Sequence, residues 1–257
     1  MADELKIVVA AHKPYWMPDD PCYLPVWVGA ALRDQQEPEG WARDDAGDNI
    51  SAKNGSYCEL TALYWAWKNL DADYIGLAHY RRHFSRGPFG AKERRVARAE
   101  DVLAKLMKAP VVLPTPRNYF IETNYSQYAH AHHAEDLDLT RDVLAELHPE
   151  VVAAWDASMQ RTVGHRFNMA VMRSDLFGQW CDFLFSVLQL VEERSDLSNY
   201  SDYDRRLFGF LAERLLDPWL EAQGIPYAEM PVVHMESQHW PRKAMKFLAR
   251  KLSGKRA

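Results

Sequence analysis

Two short runs of this sequence carry side chains suited to phosphate. His12-Lys13 follows one apolar segment, and His79-Tyr80-Arg81-Arg82 follows another. A guanidinium presents a planar fork of donors to phosphate oxygens, so Arg81 and Arg82 side by side at a strand's end suit a diphosphate. Lys13 and Lys53 add positive charge from neighbouring loops. The competing reading pairs the two arginines with carboxylates such as Asp44 or Asp45. A third run, from His130 through His132 and His133 to Glu135 and Asp136, offers a carboxylate as general base, held or tuned by a histidine. An exposed polar helix face explains that run equally well. His-Glu-x-x-His spacing is absent, so no zinc site is expected there.

Other chemistries lack their residues. Neither GxGxxG nor GxxxxGK followed by Ser or Thr occurs, which argues against dinucleotide-binding and P-loop enzymes. No GxSxG elbow marks a hydrolase. Asp71-Ala72-Asp73 copies the DxD motif that holds a metal against a sugar-nucleotide diphosphate, but it precedes its strand instead of following it. It reads as a turn. The functional position belongs to His79, Tyr80 and Arg81, whose positive charge could stand in for the metal on a departing diphosphate. The need for Mn or Mg is left open.

The elements that must position these residues alternate. Leu5 to Ala11 is a nearly unbroken apolar run, as in a buried parallel strand, and Tyr74 to Ala78 is a second. Between them, Tyr23 to Leu32 reads as a helix or an extended lid, and Tyr57 to Asn69 as a helix. Ser56 is that helix's candidate N-cap, with Glu59 as capping-box partner. Arg94 to Lys108 reads as a basic helix, Ala109 to Leu113 as a strand, and Tyr125 to Leu147 as a helix. Phe167 to Met172 is the next strand; Phe177 to Val191 and Tyr203 to Leu220 are helices. The expected fold class is α/β, a mostly parallel sheet flanked by helices, with ligands at the strands' carboxyl ends.

The chain has 257 residues, 47% hydrophobic, 12% aromatic and 26% charged, with a net charge of −5. These proportions suit one globular domain, placed at residues 1–240, and argue against a general nucleic-acid binder. No apolar run reaches the ~20 residues of a membrane span, and the start lacks a signal peptide's apolar core. Three scattered cysteines give no disulfide framework, so a cytoplasmic location is expected. Residues 241–257 form a basic amphipathic tail with seven Lys and Arg and no acid. It reads either as a peripheral contact with the inner face of the membrane or as a solvated terminus. Trp16, Trp41 and Trp240 are loop aromatics that could stack on sugars.

Three segments together resemble a known bacterial family: Asp48 to Asn54, Tyr57 to Asn69, and Asp73 to Phe84. The resemblance continues through Asn168-Met169, Tyr203 to Leu216 and Trp219. The family was long labelled only as domain of unknown function 4422. It includes capsular and exopolysaccharide glycosyltransferases, some of them galactofuranosyltransferases. The resemblance implies a GT-A-like nucleotide-diphospho-sugar transferase fold and transfer of a sugar, galactose or galactofuranose, from a UDP-linked donor to a saccharide acceptor that could be lipid-linked. A non-catalytic nucleotide- or glycan-binding subunit of a polysaccharide assembly complex is the alternative.

Carried over by position, Ala11, His12, Lys13, Asp48 and Asn49 would hold the nucleotide. Lys53, Asn54 and Glu59 would border the donor, and His79, Tyr80, Arg81 and Arg82 its diphosphate. Asn168, Arg206 and Arg214 would line the sugar and acceptor pocket, joined by His132 and His133 from the polar run read above. The base would be Asp136, then Glu135 or Glu213. A structural ion pair between Glu213 and an arginine competes with that last role. His83 stands where the family pattern leads one to expect another aromatic.

Overall fold

The computed structural model describes residues 3–236. The proposed basic tail and Trp240 lie outside these residues. The strands are β1 (Leu5–Ala11), β2 (Tyr23–Trp27), β3 (Ala42–Arg43), β4 (Tyr74–His79), β5 (Arg82–Phe84), β6 (Val111–Pro114), β7 (Arg117–Asn118), β8 (Val163–Gly164), β9 (Ala170–Arg173), β10 (Ala228–Met230) and β11 (Val232–His234). The helices are α1 (Asn54–Tyr57), α2 (Leu60–Asn69), α3 (Lys92–Arg95), α4 (Ala99–Leu106), α5 (Asn124–Ala131), α6 (Ala134–Leu147), α7 (Val152–Gln160), α8 (Ser174–Arg194) and α9 (Leu207–Ala222).

The central sheet runs β10-β6-β9-β4-β1-β2-β3, with β5 bridging β4 and β11. Strands β1, β2, β3 and β4 are parallel, and so are β6 and β10; β9 is antiparallel to both β4 and β6. The mostly parallel α/β plan expected from the sequence is the observed one. Apart from Lys6 near its start, strand β1 is apolar because it is buried on both faces. Val8 and Ala10 enter the core under α2, α8 and α9, while Ile7, Val9 and Ala11 enter the core that includes Val102 of α4. Gly76 of β4 lets β9 approach closely, since a Cβ there would lie 2.6 Å from Val171 Cγ2.

Several elements depart from the sequence reading, each for a local reason. Tyr23 to Trp27 is neither helix nor lid but a strand of the sheet, its backbone paired from Ile7↔Tyr23 to Ala11↔Trp27. The helix expected over Tyr57 to Asn69 is broken at Cys58, whose φ is +52°. Ser56 therefore falls inside α1, and α2 starts after Glu59 with no side-chain cap hydrogen bond, so the capping box does not form. Tyr125 to Leu147 divides into α5 and α6 at His132, which is extended. Arg94 to Lys108 likewise divides, with α3 ending before an extended Val96. The strand expected from Phe167 starts at Ala170, because Phe167 and Asn168 have φ of +78° and +54° and turn the chain into β9. His83 is fully buried and edge-on to Trp16 and Tyr23, filling an aromatic slot.

Candidate functional site

Parallel β1, β2, β4 and β6 end on the same edge of the sheet, and β9 begins there. His12 and Lys13 leave β1 at this carboxyl edge, and β4 ends on His79. Tyr80 is the pillar between them. Its ring is buried, edge-on to His12 at 5.2 Å and tilted against His79 at 4.5 Å. Lys13 Nζ lies 5.4 Å from the Tyr80 ring centre and the Arg81 guanidinium 5.2 Å. Tyr80 and buried Ala11 thus shape the floor, and the charged groups form its surface.

The mouth is strongly cationic. Burial and then Arg33, Lys13, Arg81 and Arg206 lower the His12 pKa. Burial, followed by Arg82 and Arg81, pushes His79 down to about 2. His79 is therefore neutral, and its Nδ1 accepts the Arg81 backbone N–H at 3.3 Å, which leaves the ring proton on Nε2. Arg81 meets Glu236 at 3.6 Å. Arg82 has no carboxylate within 4.0 Å among the described residues, and its guanidinium lies 4.5 Å from the Phe167 ring centre. The Nε atoms of both arginines are buried without a hydrogen-bond partner among the described residues.

The pairing of these arginines with Asp44 or Asp45 does not occur. Asp44 is buried and accepts from the Gly29 and Ala30 N–H groups, Ser51 and Thr61, which locks the start of α2 to the loop after β2. Asp45 binds Arg43 at 2.7 Å.

Two carboxylates face the cations. Glu59 Oε1 accepts from Asn168 Nδ2 at 2.9 Å, and burial raises the Glu59 pKa against the opposing effect of that bond. Glu213 Oε1 accepts the Phe167 N–H at 3.0 Å, while its Oε2 is 3.9 Å from Arg214. Both carboxylates act electrostatically on Arg82, and Glu59 also acts on Arg206. Arg206 closes the wall, with Nε 3.1 Å from Cys58 Sγ. One site therefore gathers His12, Lys13, His79, Arg81, Arg82, Glu59, Glu213, Asn168 and Arg206.

The structure keeps the other expected residues apart from this cluster, except Arg214, which borders it through Glu213. Asp48 and Asn49 sit at the far end of α2. The Asp48 carbonyl accepts from Asn69, and the Asn49 amide is spent within its own turn on Asp45, Gly47 and Ser51. Lys53 forms a surface ion pair with Glu192 at 2.5 Å. Asn54 bridges the Cys58 carbonyl and Thr61 beneath the site. Asp136, the first choice of base, is 5% exposed and accepts from both Tyr128 (2.9 Å) and Tyr200 (2.7 Å). Those bonds use both carboxylate oxygens to pin α5, α6 and the loop before α9. Glu135 lies in solvent beside His133, whose ring stacks on Tyr200. His132 binds Asp204 and stacks between Tyr203 and Phe210. Arg214 is buried against Tyr128 and donates to Gln127 and the Phe210 carbonyl.

Sequence reasoning missed Arg33, Cys58, Arg117 and Phe167. The Phe167-Asn168 pair carried a usable signal, since Asn tolerates left-handed backbone better than most residues. Asp71 and Asp73 stand at the amino edge, in the irregular segment before β4, where Asp73 accepts the Glu4 N–H, so this DxD lies away from the mouth as expected. Among the described residues no group of three or more His, Cys, Asp or Glu is arranged to hold a metal ion. Asp71 and Asp73, on the amino edge, are not placed to hold a metal against a ligand at the cationic mouth. Nor is any helix among them long and apolar enough to cross a membrane.

The fold has a solved relative. The apo structure of the bifunctional glycosyltransferase WbbM is similar, with a TM-score of 0.83 and 28% identity. The similarity covers 91% of this chain and 46% of that one, so this chain spans about half the length of WbbM. Among curated proteins no sequence matches. Residues 6–224, from β1 through α9 and so including every member of the cluster, match the family model described as domain of unknown function DUF4422, and the chain belongs to that family.

Proposed function

We propose that this protein is a glycosyltransferase that moves a sugar from a nucleotide-diphospho-sugar to a saccharide acceptor. The observation that carries the reading is the pair Arg81 and Arg82. Their buried Nε donors have no partner among the described residues, at the edge where open α/β sheets bind ligands. Arg82 in addition has no carboxylate partner among the described residues, and an enclosed positive charge without a partner is costly, so an anion that arrives with the substrate would satisfy it. A diphosphate supplies that charge, and neutral His79 adds a donor at Nε2. The similarity to WbbM supports the same class of chemistry.

The mechanism is displacement at the anomeric carbon. The acceptor hydroxyl gives its proton to a carboxylate, its oxygen bonds to C1, and the bond from C1 to the diphosphate oxygen breaks. Arg81, Arg82 and Lys13 stabilise the charge that develops on the leaving diphosphate. Glu213 is the better-placed base, because one oxygen is oriented by the Phe167 N–H while its side chain remains 23% exposed. Glu59, more deeply enclosed and tied to Asn168, borders the donor sugar. By family analogy the donor is UDP-linked galactose in pyranose or furanose form, and the product enters a bacterial surface polysaccharide on the cytoplasmic side of the membrane.

Thermal-shift measurements with UDP, UDP-galactose and other nucleotide-sugars, each with Mn and with EDTA, test the reading. Stabilisation by UDP and acceptor-dependent release of UDP are expected. Binding without any turnover would favour the non-catalytic alternative. A shift that appears only with Mn would overturn the metal-free account.

A further inference from the structure

One short turn holds both acids of the mouth. It runs from Gly164, which ends β8, to Met169, just before β9. Phe167 and Asn168 take positive φ in succession, which costs any residue with a side chain, so neighbouring structure must impose the bend. Helix α9 grips it at two positions one helical turn apart. Asp217 accepts the His165 N–H at 2.9 Å and meets His165 Nδ1 at 2.6 Å, and Glu213 accepts the Phe167 N–H at 3.0 Å. Beyond the bend, the Asn168 amide reaches Glu59 at 2.9 Å.

Arg166 lies between these grips and is 4% exposed. Its Nη1 donates to the His165 carbonyl at 2.5 Å and to the Glu213 carbonyl at 3.1 Å, its Nη2 to Asn124 Oδ1, and its Nε to the Tyr119 hydroxyl at 3.3 Å. All of these partners are neutral, so a charge is enclosed with no carboxylate bonded to it. Enclosing it is costly, and an apolar side chain would fill the space without that cost. What the guanidinium supplies is a planar fork that reaches several acceptors at once, which a lysine cannot do. Asn124 is itself fixed, its amide donating to the Ser158 and Val163 carbonyls at 2.8 and 3.1 Å. Gly164 makes the room, since a Cβ there would lie 2.6 Å from Arg166 Nη1.

Residues 166 and 167 therefore hold Glu213 twice, at its carbonyl through the guanidinium and at Oε1 through the Phe167 N–H. Oε2 is left facing Arg214 at 3.9 Å, beyond hydrogen-bond distance. We infer that Arg166 is a positioning residue for the transfer: by tying the bend to the α9 main chain, its fork keeps Glu213 Oε2 free and aimed to take the acceptor proton. The inference rests on the reading of Glu213 as base and adds what holds that base in place.

Three variants test it: Gly164→Ala, which displaces the fork but keeps its charge, Arg166→Lys, which keeps the charge but not the fork, and Arg166→Met. Each should lower kcat on the order of 10- to 100-fold, the loss that follows when a reacting group is slightly misplaced. Donor KM and the Kd for UDP should stay within about twofold of wild type, because the anion site is untouched. Hydrogen exchange should show the Phe167 amide losing protection. Should Arg166→Met fail to fold, Gly164→Ala still carries the test. In a Glu213→Gln background, Gly164→Ala should cost nothing further. A full additional kcat loss there would overturn the positioning role while leaving Glu213 as base, whereas wild-type kcat in Glu213→Gln would remove the base itself. Wild-type kcat in folded Arg166→Lys or Gly164→Ala protein, a Phe167 amide still protected in the variants, or a parallel loss of UDP affinity would also overturn the inference.

Discussion

Asn168 and Glu59, 109 residues apart in sequence, are joined by a 2.9 Å hydrogen bond, and the same amide donates to the Gly209 carbonyl at 3.0 Å. One side chain therefore ties the start of α2, the entry to β9 and helix α9 together at the site. Asn168→Ala should leave the Glu59 carboxyl enclosed with its bond removed. The expected result is a loss of about 1–3 kcal/mol of stability and a further rise in the Glu59 pKa, read by denaturant melts and carbon-detected carboxyl titration. An unmoved Glu59 titration would show that the bond does not hold its charge.

Arg82→Ala and Arg81→Ala test the anion site. Each should cut transfer on the order of a hundredfold and weaken UDP binding, with little change in Tm. Arg82 should matter more, because Arg81 has Glu236 as a partner while Arg82 has no carboxylate partner among the described residues. Calorimetric titration with UDP and initial rates distinguish the two. Wild-type rates in a folded Arg82→Ala protein would remove the diphosphate from this edge.

The choice between Glu213 and Asp136 separates chemistry from architecture. Glu213→Gln should lower turnover by about 10²-fold or more while Tm stays near wild type. Asp136→Asn should do the opposite. It weakens the two tyrosine hydrogen bonds that join α5, α6 and the loop before α9, costing about 1–3 kcal/mol. Paired kinetics and melts on both variants decide, and a stable but inactive Asp136→Asn would return the base to Asp136.

His83 gives a pH-dependent stability. Burial lowers its pKa from 6.5 to about 4, so the unfolded chain binds the proton more readily than the folded one. The stability contributed by the neutral ring is complete above pH 6.5 and is lost as pH falls towards 4, up to about 3 kcal/mol. Neither ring nitrogen makes a well-aligned hydrogen bond among the described residues, and the nearby Tyr80 backbone only partly offsets the burial. His83→Phe should therefore raise stability and flatten this part of the curve. Urea melts from pH 7 down to pH 4 would check it, and an unchanged acid slope would rule out His83 as its source.

Much of the architecture was written locally. The nearly unbroken apolar run of β1 signals a strand buried on both faces, and the abrupt change at His79 marks a strand end with chemistry beside it. Because β1 and β4 are parallel neighbours, those two signals located one edge, and His12, Lys13, Arg81 and Arg82 meet there. The breaks at Cys58 and His132 were not legible, since helical spacing of apolar residues continues across both. Their causes are tertiary: Cys58 turns to face Arg206, and His132 is drawn between Tyr203 and Phe210.

Strand ends and residue types, both local properties, were enough to announce a cationic mouth. Which acids face it was decided only by the assembled fold. Asp136, Glu135 and Asp48 have suitable chemistry, yet each lies elsewhere, while Glu59, just before α2, and Glu213, within α9, are distant in sequence. A carboxylate's role depends on which groups share its few ångströms of space, and sequence spacing fixes that only within a single element. Between α2, β9 and α9 it is fixed by packing, through bonds such as the one from Asn168 to Glu59.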